Sequence, residues 1–538
     1  MRIERSLVAG VDSSTQSCKV VIAEPATGEI LRDGCAPHPA GTEVDPEAWW
    51  SALQQAIVDA GGFADVAAVS ISGQQHGLIA LDDRGQVIRD ALLWNDLRSD
   101  AAARRLIAEI GADEFVERTG IVPVASFTAA KLRWLRDHEP NNASRVAAVA
   151  LPHDWLTWRL LGYGPSSSGA PRGADLEALV TDASDASGTA YFSAATGRYD
   201  HELFQAAFGA AAREACGGAS QDTSGTTAIR KASDAPGADA GEPEFDGAAV
   251  LLPRVLGPHE SAGSTPEGIL VGPGAGDNAA AALGLGAASG DVVISIGTSG
   301  TVFSPTTLEI SDASGMVAGF ASADGGRLPL VATLNAARVL DSAAGLLRTN
   351  HSDVAALALA STPGANGLTL VPYFEGERTP NLPDATARLE GMTLANSSPE
   401  NVARAFVEGM LCGLADGLDA VLRQGVTISR LLLIGGAARN PAVREVARDI
   451  FTVPIDVPEQ AEYVAIGAAR QAAWTLTGTS PRWQVELVAT LHPRPSRVRG
   501  QYRSFAHTGL AADHTAPAHE DSDNDHRGSS GADAPLKG

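Results

Sequence analysis

Cysteine is scarce. Only Cys18, Cys35, Cys216 and Cys412 occur in 538 residues, with no Cys-x-x-Cys pair. A disulfide framework and a thiolate zinc site are therefore excluded, and a reducing cytoplasm is the expected compartment. No apolar run is long enough to cross a bilayer, and no charged start followed by a long apolar stretch suggests a signal peptide. Positive charge is outnumbered, 40 Lys and Arg against 64 Asp and Glu, for a net −24. Such a chain repels a phosphate backbone, so neither nucleic acid nor a membrane is expected as partner. The dipeptide Gly-Lys is missing, which removes a Walker A loop. GLGAASG (284–290) imitates a dinucleotide fingerprint, but it precedes a strand-like run and its third glycine comes one position late. A nicotinamide-dependent dehydrogenase needs the opposite order.

What the chain does have is alternation. At 44% hydrophobic, its 538 residues suffice for two to four domains. LVAGVDSSTQSCKVVIAE reads as strand, tight turn, strand. A helix follows, capped by Asp45, with Pro46 in its first turn and Gly61-Gly62 at its end. VAAVSISG (66–73) is a buried strand running into the loop QQHG. DVVISIGTSGTVFS is a second strand–turn–strand whose centre, Gly297–Thr301, echoes the first, implying two related lobes. RLLLIGGAARNPAVREVARDI reads as strand, glycine turn and helix, with Asn440 as cap, and a strand at 453–457 and a helix at 464–474 follow. The class is α/β. Lobes are expected over 6–286 and 290–480. Low-complexity surface insertions fall at about 164–176 and 217–247, and a disordered acidic tail at 507–538.

Several polar residues stand where chemistry is possible. The two hairpin turns offer backbone N–H groups and hydroxyls, from Asp12, Ser13 and Thr15 in one and Thr298 in the other, suited to clamping a polyphosphate from both sides. Asp12 reads either as a turn former or as an anchor for hydrated Mg²⁺. Asp277, in PGAGDNAA, reads either as the cap of a helix at 278–285 or as a general base toward a sugar hydroxyl. Gln75-His76 and Trp94-Asn95-Asp96 follow apolar runs, where ligands gather in α/β folds; local satisfaction and core packing are their bland readings. Gly435-Gly436 and Asn440 form either a routine helix entry or a seat for an adenine ring.

Taken together, the stretches GVDSSTQSCKVV, DPEAWW, SISGQQHG, LLWNDLR, FTAAKLRWL, LPHDWLTWRLLG, TDASDASGT, GAGDNAA, ISIGTSGTVF, PYFEGERTPN and LIGGAARNP resemble, in order, the FGGY carbohydrate kinases, and within them the branch acting on xylulose. The resemblance spans about 7–474. It implies two ribonuclease-H-like lobes of the actin/hexokinase type with an interdomain ATP and sugar cleft, and closure about a hinge. It also implies Asp277 as catalytic base, Asp12 as the Mg²⁺-associated aspartate, and Thr298, Gly436 and Asn440 on the nucleotide. Gln75-His76 would touch the ketose, with Asn95-Asp96 beside it. ATP and Mg²⁺ are the implied cofactors, a small sugar the partner, and a homodimer the implied assembly. Ser14 and Ala275 replace glycines usual in the family. The rivals are a sister kinase acting on ribulose, gluconate or glycerol, and a non-catalytic actin-like sugar sensor.

Overall fold

The computed structural model describes residues 5–217, 249–382 and 384–506. The insertion expected at 217–247, except Gly217, and the tail at 507–538 lie outside the described residues. The stretch at 164–176 is a surface loop, held by Gln86 on Ser166 and Ser167 and by the Trp158 indole on the Asp175 carbonyl.

Two mixed sheets repeat one topology. In the first, Leu7–Ser13 pairs antiparallel with Ser17–Ala23, which pairs antiparallel with Ile30–Pro37. Val66–Gly73 joins Leu7–Ser13 in parallel, and Leu270–Val271 joins Val66–Gly73 in parallel. In the second, Asp291–Ile296, Gly300–Phe303 and Arg327–Thr333 make the antiparallel run. Arg430–Ile434 and then Ile455–Pro458 extend it in parallel. The echo between the two hairpins thus reflects a real structural repeat. Parallel strands covered by helices must be apolar on both faces, and Val66–Gly73 is buried along nearly all its length.

Local signals behave as elementary chemistry dictates. Asp45 caps Pro46–Asp59 by accepting from the Glu47 amide, and Gly61 and Gly62 take φ of +84° and +81° just past the end. The strand expected at 453–457 runs Ile455–Pro458, and the helix expected at 464–474 runs Tyr463–Thr477.

One long-range arrangement positions the site. Helix Tyr463–Thr477 lies in the C-terminal half of the chain yet packs on the first sheet, where Ala465, Ala469, Ala472 and Ala473 share a core with Val8, Val21 and Ala68. It also crosses helix Asp277–Gly284 backbone to backbone. A Cβ at Gly467 would sit 1.9 Å from the Ala280 carbonyl oxygen, and one at Gly284 2.1 Å from that of Tyr463. Side chains normally keep helix axes 8–10 Å apart, and here there are none to do so. This crossing brings the start of Asp277–Gly284 to the seam between the lobes.

Candidate active site

The two hairpins, the glycine turn and the start of helix Asp277–Gly284 open onto one cavity of about 660 Å³. The first lobe contributes Asp12, Ser14, Lys19, Asp277 and Asn278 to it, and the second contributes Gly297, Gly435, Gly436 and Arg439. A separate depression of about 760 Å³, beside Tyr373 and Leu422, contains none of the candidate site residues, though Tyr373, Thr379 and Pro380 of the stretch PYFEGERTPN line it.

Asp12 is 3% exposed at the end of its strand. Burial pushes its carboxyl up to about 7. The Ser14 hydroxyl, which donates to it, and Lys19 oppose that push, while Asp277 and Glu462 add to it. A buried carboxylate of this kind, with a hydroxyl beside it and a second carboxylate across the cavity, is a hard-oxygen donor set. It suits Mg²⁺, which is usually held through one or two carboxylates and several waters. Lys19 pairs with Glu462 at 2.6 Å across the cavity mouth.

Asp277 is the first residue of its helix; Gly276 holds the cap position and supplies no side chain. The capping role open to Asp277 in the sequence is thereby removed. Its Oδ1 instead accepts from the Asn278 backbone amide at 2.7 Å and from Asn278 Nδ2 at 2.8 Å. Burial pushes the carboxyl up to about 6 against those bonds. Such a group is ionised at neutral pH yet basic enough to accept a proton, as a general base requires. Thr301 of the second hairpin donates to Asn278 Oδ1 at 3.2 Å, tying the opposite lobe to the start of this helix.

Behind Asp277 lies a second polar group. Gln75 Nε2 donates to the Ser184 carbonyl at 3.0 Å, and its amide lies where a Cβ on Gly276 would be. His76 stands at φ +71° with its ring in a three-ring cluster with Phe127 and Phe320. Its Nδ1 is 2.9 Å from the Gly188 carbonyl, which can only accept, so Nδ1 carries the proton and Nε2 remains an acceptor. Burial, with Lys131 and Arg378 nearby, holds the imidazole well below its usual value and therefore neutral. Lys131 Nζ donates to the His76 carbonyl at 3.0 Å, and burial pulls it down to about 7 despite Asp96. Asp96 accepts from Thr42 at 2.8 Å and from Arg98 Nε at 2.9 Å. Burial raises it, but these bonds win and its carboxyl is held below the usual range. Asn95 Oδ1 is buried without a hydrogen-bond partner.

Not every residue expected in the site reaches the cavity, and the expected sugar-side residues Gln75, His76, Asn95 and Asp96 are not among those lining it. The Thr15 hydroxyl accepts from the Trp94 indole at 2.8 Å and lies 3.4 Å from Gln74 Oε1, so it is engaged away from the phosphate side. Ser13 Oγ is buried and unpartnered. Thr298 is exposed at the hairpin tip, and it is the neighbouring Gly297 that lines the cavity. Asn440 spends its side chain capping Pro441–Ile450, accepting from the Ala442 amide at 2.9 Å, while Gly435 and Gly436 face the cavity. Gly435 is obligatory: φ is +92° and a Cβ would meet the Ile296 carbonyl oxygen at 2.6 Å. Sequence reasoning missed Lys19, Asn278, Lys131 and Arg378. A lone cation one strand-turn from Asp12 was the available signal for Lys19, and the quoted FTAAKLRWL and GERTP stretches contained Lys131 and Arg378.

The descriptions "FGGY family of carbohydrate kinases, N-terminal domain" and "C-terminal domain" match residues 7–213 and 292–476. The chain belongs to the FGGY family of carbohydrate kinases. A xylulose kinase from Streptomyces rubiginosus is 41% identical over 501 residues, 89% of this chain and 91% of the relative. One from Escherichia coli is 32% identical over 86% of this chain and 89% of its own. The crystal structure of xylulose kinase from Bifidobacterium adolescentis superposes with a TM-score of 0.80 at 44% identity, over 93% of this chain and 99% of that one. As an FGGY carbohydrate kinase the protein takes ATP and a sugar as substrates. No helix among the described residues is long and apolar enough to cross a membrane.

Proposed function

We propose that this kinase transfers the γ-phosphoryl group of ATP to the terminal hydroxyl of D-xylulose, giving D-xylulose 5-phosphate and ADP, a step of xylose catabolism. The observation that carries the reading is the shared cavity: Asp277, a buried carboxylate pushed up to about 6, opens onto the same space as Asp12 and the glycine turn of the other lobe. The xylulose kinases of S. rubiginosus, E. coli and B. adolescentis, similar over nearly their whole length, supply the sugar.

In this mechanism Asp277 accepts the proton of the attacking hydroxyl, the new O–P bond forms in line, and the bond from γ-phosphorus to the β–γ bridging oxygen breaks to release ADP. The neutral His76 accepts a sugar hydroxyl at Nε2, and Gln75, Asn95 and Asp96 complete the sugar side. On the nucleotide side, the backbone amides of Asp12–Ser14 and Gly297–Thr298 cradle phosphates, and Gly435-Gly436 let adenine approach the backbone. Lys19 leaves Glu462 to meet phosphate charge. Mg²⁺ held near Asp12 would screen the triphosphate and the departing ADP. Positioning and fixed dipoles in a closed cleft provide most of the rate gain. The reaction belongs in the cytoplasm, where the four unpaired cysteines stay reduced. Assembly as a homodimer, read by sedimentation, is part of the same expectation.

The test is a panel of ketoses, polyols and sugar acids in a coupled ADP assay. D-xylulose should give the highest kcat/KM. A clear preference for ribulose, gluconate or glycerol would reassign the substrate while leaving the kinase chemistry standing, and ADP release with no acceptor at all would remove both.

A further inference from the structure

Beneath the segment that carries Asp277 lies a buried charged cluster that the phosphoryl chemistry does not itself use. His153, near the start of helix Pro152–Leu160, is fully buried. Its Nδ1 lies 3.1 Å from Asp154 Oδ1, and its Nε2 lies 3.2 Å from Asp182 Oδ1 and 3.7 Å from Asp185 Oδ2. Asp154 and Asp185 are likewise 0% exposed, and His153 Nδ1, Asp154 Oδ1 and both Asp185 carboxylate oxygens have no hydrogen-bond partner, so the His153–Asp154 approach is an electrostatic contact. Three buried carboxylates side by side are strongly unfavourable unless a cation or protons offset them. Burial works against a charged imidazole, but Asp154, Asp182 and Asp185 outweigh it and hold His153 up to about 10. Asp185 is driven well above the carboxylate range by burial, with Asp154, Asp182 and Asp277 adding to the push.

The cluster is wired to the reacting groups through one turn. Asp182 winds the segment 182–188 by accepting from the Ser184 amide at 2.8 Å and the Asp185 amide at 3.0 Å. Ser184 Oγ then accepts from the Gly276 amide at 3.0 Å, directly before Asp277, while its carbonyl takes Gln75. The Gly188 carbonyl takes His76, and Ser187 Oγ accepts from Ala321 of the second lobe at 3.0 Å. His153 itself abuts the segment leading into Asp277: a Cβ on Gly274 would sit 3.1 Å from His153 Cε1.

We propose that His153 is a positioning residue for the kinase reaction: as an imidazolium locked among Asp154, Asp182 and Asp185, it sets the 182–188 turn and thereby fixes Asp277 against Gln75 and His76. The inference rests on the sugar-kinase reading above, and it fails separately from it. If the wild-type protein phosphorylates no sugar, the reading falls; if it does and His153 proves dispensable, only this inference falls.

The experiment compares wild type, His153→Gln and His153→Lys. Gln keeps polarity without the charge, and Lys restores a cation without the ring. Displacing a base by an ångström costs on the order of 100-fold, so His153→Gln should lose about that much kcat on ATP and xylulose with KM for ATP unchanged. His153→Lys should recover most of the lost rate. ¹⁵N NMR of the wild-type imidazole at pH 8, assigned by its disappearance in His153→Lys, should show both ring nitrogens protonated, and this readout survives even if His153→Gln does not fold. A wild-type kcat in His153→Gln, a His153→Lys as slow as His153→Gln, or a neutral imidazole at pH 8 would each overturn the proposal. So would a stoichiometric transition metal in the purified enzyme that disappears with His153, since the cluster would then be a metal site and not an ion pair.

Discussion

Replacing Asp277 by Asn should move activity and stability in opposite directions. The carboxyl is raised from 3.8 to about 6 by burial. That shift of roughly two units corresponds to about 3 kcal/mol by which the folded site prefers the neutral form. The folded state binds this proton more tightly than the unfolded chain does. Its contribution to stability is therefore full below about pH 3.8 and lost as pH rises through about 6. At pH 8 the wild type carries a charge its fold disfavours. Asn is isosteric and neutral, and its carbonyl oxygen can still accept from the Asn278 amide. Asp277→Asn should thus be more stable than wild type at pH 8 by on the order of 1–3 kcal/mol in urea unfolding, the gap closing toward pH 4. Its kcat should fall by about 10²–10⁴ in the coupled ADP assay, the usual contribution of a positioned base. In the wild type, kcat/KM should fall on acidification as a joint titration of the two cleft carboxylates between about 6 and about 7. A variant that loses less than about tenfold in kcat would refute the base assignment. One that is less stable than wild type at pH 8 would refute the electrostatic argument.

Lys19→Met should raise KM for ATP about tenfold through the loss of a charge-assisted phosphate contact. Its stability should change by less than about 1 kcal/mol, because the Lys19–Glu462 pair is 32% and 50% exposed; a steady-state ATP titration and a urea curve measure the two. His76→Asn, chosen because Asn tolerates the positive φ, should lower kcat/KM for xylulose by roughly 10–100-fold with KM for ATP unchanged, consistent with one lost buried hydrogen bond. At the helix crossing, Gly467→Val drives a side chain into the Ala280 carbonyl and should cost about 3 kcal/mol or more, or prevent soluble expression. Gly345→Ala, at an exposed position of helix Arg338–Leu347 with nothing within 4 Å, should instead gain about 0.5–1 kcal/mol; equal urea midpoints for the two glycine variants would contradict the packing argument.

What could be read from the sequence was whatever the sequence states locally. The Asp45 cap, the glycine stop after it, both hairpins and the strand–glycine–helix passage at Arg430–Ile450 each depend on a few neighbouring residues. The structural repeat was visible because two such passages resemble each other. The ordered family stretches brought Asp12, Asp277 and the Gly435-Gly436 turn into one reading, and all line one cavity. The choices that depend on distant partners were not legible. Nothing in TQSC says that the Thr15 hydroxyl is taken by Trp94, 79 residues away. Asn440 reads equally as cap or nucleotide contact, and its side chain serves as cap. The alanine-rich stretch Tyr463–Thr477 looks like a generic helix, because small residues advertise no partner, yet it packs across the lobe boundary. Asp182 and Asp185 stood in a quoted motif, but burial beside His153, the fact that gives them meaning, is a property of the fold alone.

The backbone contact where Gly467 meets Ala280 and Gly284 meets Tyr463 bears on how such an enzyme can be hardened against heat. A crossing built from carbonyls and amides has no rotamers to rearrange and offers nothing to fill: swapping glycine for alanine, a common route to a more rigid chain, has no room here. Gains in thermal tolerance are to be sought on the outer faces of the lobes, and the crossing itself must stay bare.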